Sequence, residues 1–161
     1  MEVKDFMHRQ IVTAGPKTLM LEIWKLIMRE QVHSLPIVDR DKHVIGIIVK
    51  EDLLEKLFPD YVDIIPDFSA GEDVDEDFKE KLDKIKNWTA ERVMQKNVVF
   101  TRPNTNAMRA LSRMIVRKIR QLPVIDDDDK IVGLVSKGDI FDGLFKKNVK
   151  RLLKRKNSSE R

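Results

Sequence analysis

The chain has 161 residues, of which 42% are hydrophobic and 36% are charged, and it contains no cysteine. This length suits one compact domain or two small units, and the lack of cysteine excludes disulfides and thiolate metal sites. The longest strongly apolar run, Val44–Val49, is too short to cross a bilayer, and the N-terminus lacks the pattern of a signal peptide, so a soluble cytoplasmic protein is expected.

The first part of the chain, up to Phe58, predicts a β-prone stretch, a helix, two strands and a second helix. The stretch IVTA runs into a turn at Pro16, and apolar residues then recur at helical spacing from Leu19 to Ile27. Two apolar strands joined by a polar turn follow in LPIVDRDKHVIGIIV, and a helix is predicted over Asp52–Phe58.

An acidic segment, Pro59 to Asn87, comes next, with ten acidic and four basic residues. Apolar residues recur in it at helical spacing, at Val74, Phe78, Leu82 and Ile85. We therefore expect an amphipathic connector helix that packs on its neighbours.

After the connector the first part of the chain is repeated. Met94, Gly133 and Asp139 each lie 87 positions after Met7, Gly46 and Asp52, and the offset holds without an insertion up to Leu144 and Phe145. The order β-α-β-β-α therefore occurs twice, and the continuous apolar strands indicate sheets covered by helices. The predicted divisions are repeat 1 over 1–58, the connector over 59–88, repeat 2 over 89–145 and a basic tail over 146–161.

Each repeat carries the motif LPhhD followed by GhhxxxD, where h is apolar: LPIVD and GIIVKED in repeat 1, LPVID and GLVSKGD in repeat 2. In this order the chain resembles a tandem CBS domain pair, the Bateman module. The resemblance implies an α/β fold of two pseudo-symmetric units packed as one module. It also implies a homodimer and a regulatory ligand that contains adenosine (AMP, ADP, ATP or S-adenosylmethionine), bound in clefts between the repeats. The repeats leave no room for a catalytic domain, so no enzymatic activity and no catalytic cofactor are expected.

The stretch SKGD at 136–139 is where a ligand is expected. The start of a helix has unpaired N–H groups and a positive dipole end that suit phosphate, and a carboxylate there can accept hydrogen bonds from ribose hydroxyls. Gly138 would let a ligand approach the backbone closely. However, Ser136 and Asp139 also have the spacing of a capping box, and capping and binding can coexist.

The resemblance divides the site residues into two sets. In the stronger set the backbone of Val12 would face adenine and His33 would approach phosphate, which would make affinity pH-sensitive. The stronger set is Met7, Val12, His33, Ser34, Ser136, Lys137 and Asp139. The weaker set is Lys50, Asp52, Met94, Val99, Arg120 and Gln121.

The weaker set departs from the family pattern at two positions. Val49 stands where Ser136 stands in repeat 2, and Glu51 replaces the glycine, so that an inward-facing carboxylate would repel an anion. The weaker site is therefore empty, selective for a ligand with fewer phosphates, or purely structural.

Two acidic stretches resemble metal sites but are interpreted otherwise. DDDDK, Asp126–Lys130, aligns with the turn between the strands of repeat 1, and a solvated turn is the preferred interpretation. The stretch that begins at Asp73 fails as a calcium loop, because Phe78 stands where the loop requires glycine and Lys84 where it requires glutamate. The histidines lack paired ligand spacing, so no metal site is predicted.

The last 16 residues, from Lys146, carry eight basic residues and one acidic residue. The first part of this tail could continue the last helix. A solvated extension is one interpretation, and binding of a nucleic acid or an acidic protein partner is the other. The second gives an alternative function, in which the CBS pair is a non-sensing scaffold and the tail binds.

Overall fold

The structure is a computed structural model that describes residues 1–57 and 73–159. A short 3-10 helix, Val3–Asp5, precedes the regular elements. These are α1 (Met20–Glu30), β1 (Ser34–Val38), β2 (Val44–Val49), α2 (Lys50–Leu57), α3 (Asp73–Ile85), α4 (Ala90–Val93), α5 (Ala107–Val116), β3 (Gln121–Ile125), β4 (Ile131–Ser136) and α6 (Lys137–Ser159).

Two antiparallel hairpins form the described sheets. β1 pairs with β2 and β3 pairs with β4, with Leu35 opposite Ile48 and Leu122 opposite Val135 at equivalent repeat positions. Both hairpins shift register at the same place, after Ile37 in the first and 87 positions later in the second. The mixed α/β fold of two like-built repeats, predicted from the sequence, is confirmed.

The β-prone stretch that opens each repeat is reduced to a single parallel bridge. Ala14 bridges Ile37, and Thr101 bridges Val124. A proline follows two residues later in both copies, at Pro16 and Pro103. Because proline donates no hydrogen bond and fixes its own backbone angle, the ladder ends there.

Packing divides the chain into two compact units whose boundaries differ from those of the sequence repeats. Unit 1 consists of Met1–Ile11 with Val99–Arg161, and unit 2 of Val12–Val98. Val3 is fully buried in the core of unit 1, and Ala90, its repeat equivalent, is fully buried in the core of unit 2. The segment that begins each sequence repeat thus completes the core of the other repeat's strands and helices.

The connector helix lies where the apolar spacing predicts it. α3 packs on α2 within unit 2, and its Phe78 and Leu82 line an apolar cavity of ≈ 340 Å³. Trp24 and Met28 of α1 and Leu54 of α2 line the same cavity. Residues 59–72 of the predicted connector lie outside the described residues.

The last helix is much longer than predicted. α6 begins at Lys137 and runs to Ser159, whereas the sequence predicted a helix over Asp139–Phe145. The backbone of most of the basic tail is therefore helical. Phe141 and Phe145, one turn apart, are more than half exposed and stack with ring centroids 6.0 Å apart.

Candidate ligand-binding site

The junction of β4 and α6 holds a reciprocal set of hydrogen bonds. The Ser136 hydroxyl accepts from the Asp139 N–H at 3.0 Å and donates to Asp139 Oδ2 at 2.7 Å, and the Ser136 N–H donates to the same oxygen at 2.8 Å. This is the capping-box arrangement, in which side chains at the first and fourth positions satisfy each other's backbone donors. Serine and aspartate are thereby fixed side by side at the positive end of a helix.

His8 completes this cluster, and the sequence prediction missed it. Its Nε2 lies 2.9 Å from Asp139 Oδ1. The backbone of His8 is held against β4 by two hydrogen bonds with Leu134, of 2.9 and 3.0 Å. The preceding residue, Met7, packs on Gly133 so closely that a Cβ added to the glycine would lie 2.9 Å from its Sδ. Met7 therefore positions its neighbour on the edge of β4.

The Asp139 side chain is partly shielded and only 23% exposed. The His8 side chain is 69% exposed. Burial alone would raise the pKa of Asp139, but hydrogen bonds from the Ser136 hydroxyl, from His8 and from the Ser136 N–H outweigh it, and the pKa lies below the usual 3.8. The carboxylate is thus ionised at neutral pH. The cluster uses three of its roughly four acceptor positions.

Unit 2 repeats this geometry with different side chains. Gln95, 87 positions after His8, donates from Nε2 to Asp52 Oδ2, and its backbone pairs with Ile47 through hydrogen bonds of 2.9 and 3.0 Å. Met94 packs on Gly46, where an added Cβ would lie 2.2 Å from its Sδ. Val49 precedes α2, so this helix begins without the hydroxyl that Ser136 supplies to α6.

The residues before β1 and β3 also occupy matching places. The His33 carbonyl accepts from the Lys50 N–H at 2.9 Å, and the Arg120 carbonyl accepts from the Lys137 N–H at 3.0 Å. The side chains of His33 and Arg120 are exposed, while Ser34, at the start of β1, is buried. The N–H groups of the first residues of α2 and α6 are therefore already bonded within the protein.

Each predicted set has members in both compact units. Unit 1 contains Met7, Ser136, Lys137 and Asp139 of the stronger set, and Val99, Arg120 and Gln121 of the weaker. Unit 2 contains Val12, His33 and Ser34 of the stronger set, and Lys50, Asp52 and Met94 of the weaker. Within the units, the structure brings together Met7, Ser136 and Asp139 in one cluster, and Asp52 and Met94 in the other.

One group of metal-type ligands lies in a turn. Ligand atoms of Asp39, Asp41 and His43 lie within 4.8 Å of one another. The Asp39 carboxylate accepts from the N–H groups of Asp41 and His43 at 2.9 Å and lies 3.1 Å from His43 Nδ1, and the N–H of His43, the largest cause, holds the pKa of Asp39 below its usual value. Asp126 makes the same backbone hydrogen bonds in the DDDDK turn. These bonds explain the acidic residues as turn-forming.

Comparison with known proteins assigns the repeats. Residues 3–59 and 90–146 both match the model of the CBS domain. The chain belongs to the CBS domain family. The resemblance stated from the sequence is thereby confirmed.

Some of the proteins similar to this CBS protein match it over nearly their whole length. An uncharacterized protein of Methanocaldococcus jannaschii is 25% identical over 155 residues, covering 90% of this chain and 92% of the relative. The structure of CBSX2 in complex with AMP superposes with a TM-score of 0.70 at 23% identity, covering 91% of this chain and 98% of that one. The CBS domain pair of protein MJ0100, in complex with 5′-methylthioadenosine and S-adenosyl-L-methionine, gives 0.67 at 24% identity with the same coverages.

Within the described ranges, 1–57 and 73–159, none of the helices is both long enough and apolar enough to cross a membrane.

Proposed function

We propose that this CBS protein is a non-catalytic regulatory module that binds an adenosine-containing ligand (AMP, ADP, ATP or S-adenosylmethionine) and signals its presence to a partner. The observation that carries the proposal is the cluster at the start of α6, where an ionised Asp139 is held beside the Ser136 hydroxyl. The complexes of two structural neighbours with AMP and with S-adenosyl-L-methionine support the ligand class.

The chemistry of the cluster fits a ribose followed by a phosphate. Asp139 Oδ1 has an acceptor position left beside His8, which a ribose hydroxyl can take, and a second hydroxyl requires His8 to move aside. Gly138 is exposed, and a Cβ added to it would come no closer than 3.6 Å to the Ser136 Oγ. A phosphate therefore has room over this amide, at the positive end of the helix and near Lys137.

The same proposal assigns the remaining members of the two sets. Val12, His33 and Ser34 would complete the Asp139 site, with His33 directed to phosphate. The Asp52 site lacks a hydroxyl at Val49, and we propose that it takes a ligand with fewer phosphates or stays empty. Homodimer formation and a cytoplasmic location stay predictions.

A panel of nucleotides read by thermal melting tests the proposal. A ligand that binds only the folded protein raises the free energy of unfolding by mass action, by about 2.7 kcal/mol at a hundredfold excess over Kd, and therefore raises the melting temperature. We expect AMP, ATP or S-adenosylmethionine to raise it, and Asp139→Ala to abolish the increase. Asp139→Asn, which keeps an oxygen acceptor for the Ser136 N–H, guards against misfolding of the alanine variant. The absence of any increase across the panel would contradict the proposal.

The long α6 supports the alternative function. A helix that extends to Ser159 carries most of the basic residues of the tail, and such a helix can bind a nucleic acid or an acidic protein. In that case no nucleotide changes the melting temperature, and removing residues 146–161 abolishes salt-dependent binding to RNA or DNA. Under the ligand-sensing function the same truncation leaves the nucleotide-induced increase intact.

A further inference from the structure

One turn is built alike in the two units but differs in a single filling side chain. In unit 1, Arg102 lies over the turn that follows β3. Its Nη2 donates to Asp129 Oδ1 at 2.8 Å, and its Nη1 donates to the carbonyl of Asp126 and lies 3.6 Å from Asp127 Oδ1. The guanidinium thus fills the space beside the turn and pairs with two of its carboxylates, those of Asp127 and Asp129.

In unit 2 the position equivalent to Arg102 is Gly15, and the space beside the turn is open. A cavity of ≈ 500 Å³ lies there, bounded by the segment Thr13–Thr18 and by the end of β1. A Cβ added to Gly15 would come no closer than 3.9 Å to another atom, the Thr18 Oγ1. The volume lies within the range of small-molecule pockets.

The backbone around the cavity matches that of unit 1, so the missing side chain is what opens it. Thr18 Oγ1 accepts from the Gly15 N–H at 3.1 Å, as Thr105 Oγ1 accepts from the Arg102 N–H at 3.3 Å. Lys42 has a φ of 69° and Asp129, its equivalent, a φ of 59°. Two turns of the same shape therefore differ only in their side chains.

The charge of the turn is reversed along with the loss of the arginine. Arg40 and Lys42 stand where Asp127 and Asp129 pair with Arg102 in unit 1. Arg40 lines the cavity, and its guanidinium has no ion-pair partner among residues 1–57 and 73–159. The Asp39 carboxylate accepts hydrogen bonds from the N–H groups of Asp41 and His43 and pairs with the His43 ring rather than with Arg40.

Lys17 adds a second cation at the rim. Its Nζ lies 2.6 Å from Glu91 Oε1, and its side chain is 80% exposed, so it can turn toward a ligand at small cost because exposed ion pairs are weak. The hydroxyls of Thr13 and Thr18, the apolar side chains of Ala14 and Val38 and one acidic residue, Asp39, also line the cavity. The lining therefore has two cationic side chains and one carboxylate.

We propose that this cavity binds a small organic anion, with its carboxylate or phosphate on Arg40 and a short hydrocarbon part against Ala14 and Val38. The cavity lies wholly in unit 2 and shares no residue with either adenosine-ligand set. The proposal is therefore independent of the function proposed above, and either can fail without the other.

A titration followed by ¹H–¹⁵N NMR tests the proposal. The probes are inorganic phosphate and succinate, each added to the full chain at constant ionic strength against chloride. We expect saturable shifts of the Gly15 and Thr18 amide resonances with at least one probe. A response to phosphate alone identifies a phosphate site, and a response to succinate alone identifies a carboxylate site. Chemical-shift changes that increase linearly with the concentration of both probes, without saturation, would overturn the proposal.

Repeat 2 supplies the decisive variant. Gly15→Arg introduces in unit 2 the arginine that occupies the space beside the turn in unit 1. Position 15 can accept this side chain because its φ is negative and the space beside it is open. We expect at least a tenfold loss of affinity in Gly15→Arg and in Arg40→Ser, and no change in Lys25→Ser, which removes an exposed cation of α1 that lines no proposed site. The NMR spectrum itself reports whether each variant is folded. Unchanged affinity in folded Gly15→Arg and Arg40→Ser proteins would refute the proposal.

Discussion

Replacing His8 by glutamine should remove a pH dependence from ligand binding while keeping the fold. The His8 imidazole occupies Asp139 Oδ1 at 2.9 Å, and a protonated imidazole holds a carboxylate more strongly than a neutral one does. A ribose whose two hydroxyls use both acceptor positions of this oxygen must displace His8, and it therefore competes best at a pH where histidine is neutral. Glutamine is compatible with this geometry because Gln95 makes the same contact to Asp52 in unit 2.

The exposure of the pair limits the size of the effect. The His8 side chain is 69% exposed and that of Asp139 is 23% exposed, so solvent screening keeps the ion pair to at most about 1 kcal/mol. This free energy corresponds to about a fivefold change in affinity. Binding of adenosine to the unmodified protein should therefore be up to about fivefold tighter at a pH of about 8 than at a pH of about 5.5.

Calorimetric titration with adenosine is the appropriate assay, because adenosine has no phosphate to titrate or to approach His33. We expect Kd to be independent of pH in His8→Gln and to keep its dependence in His33→Ala. If the Kd of His8→Gln depended on pH as that of the unmodified protein does, or if the unmodified protein bound adenosine more tightly at low pH, then His8 would not compete for the Asp139 carboxylate.

Three further predictions concern stability. Ser136→Ala removes a helix cap, so urea unfolding should show a loss of about 0.5–2 kcal/mol, and an unchanged midpoint would show that the hydroxyl does not cap α6. Gly143→Ala should destabilise the protein by about 1–3 kcal/mol through overpacking, since the new Cβ would lie 2.3 Å from the Phe6 ring; Gly138→Ala, where space is open, is the matched control and should cost nothing. Asp139→Asn should lower stability at neutral pH, and the deficit should shrink as the pH falls below 3.8 through the folded-state pKa of Asp139, because a depressed pKa stabilises only while the group is ionised. If the loss of stability in Asp139→Asn stayed the same down to low pH, this last prediction would be wrong.

The sequence predicted the hairpins, the helices α1, α2, α3 and α5, the start of α6 and the capping pair of Ser136 with Asp139, because these follow from short-range periodicity and from the 87-residue repeat. It did not predict α4 or the full length of α6. It did not predict the contact between His8 and Asp139, which are 131 positions apart. The resemblance placed Met7 in one set with Asp139, but no pattern in the sequence indicated that the next residue contacts the carboxylate. The repeat offers a signal in retrospect: residues 8 and 95 stand in the same relation to Asp139 and Asp52.

The cavity beside Gly15 could not be predicted from the sequence either. The difference between Gly15 and Arg102 is visible in the aligned repeats, but only the structure shows that Arg102 folds back over its turn. Likewise, the sequence did not show that the leading segment of each repeat packs with the strands and helices of the other repeat. That arrangement depends on which core Val3 and Ala90 enter. Both residues are small and apolar and would suit either core.

The most direct test of the central claim is a titration of the full chain with AMP, followed by ¹H–¹⁵N NMR. If residues of both sequence repeats hold one adenosine ligand, the amide resonances of Gly138 and Asp139 should shift together with those of His33 and Ser34, with a single Kd. Shifts confined to the tail, or the same shifts in an Asp139→Asn variant, would contradict the account.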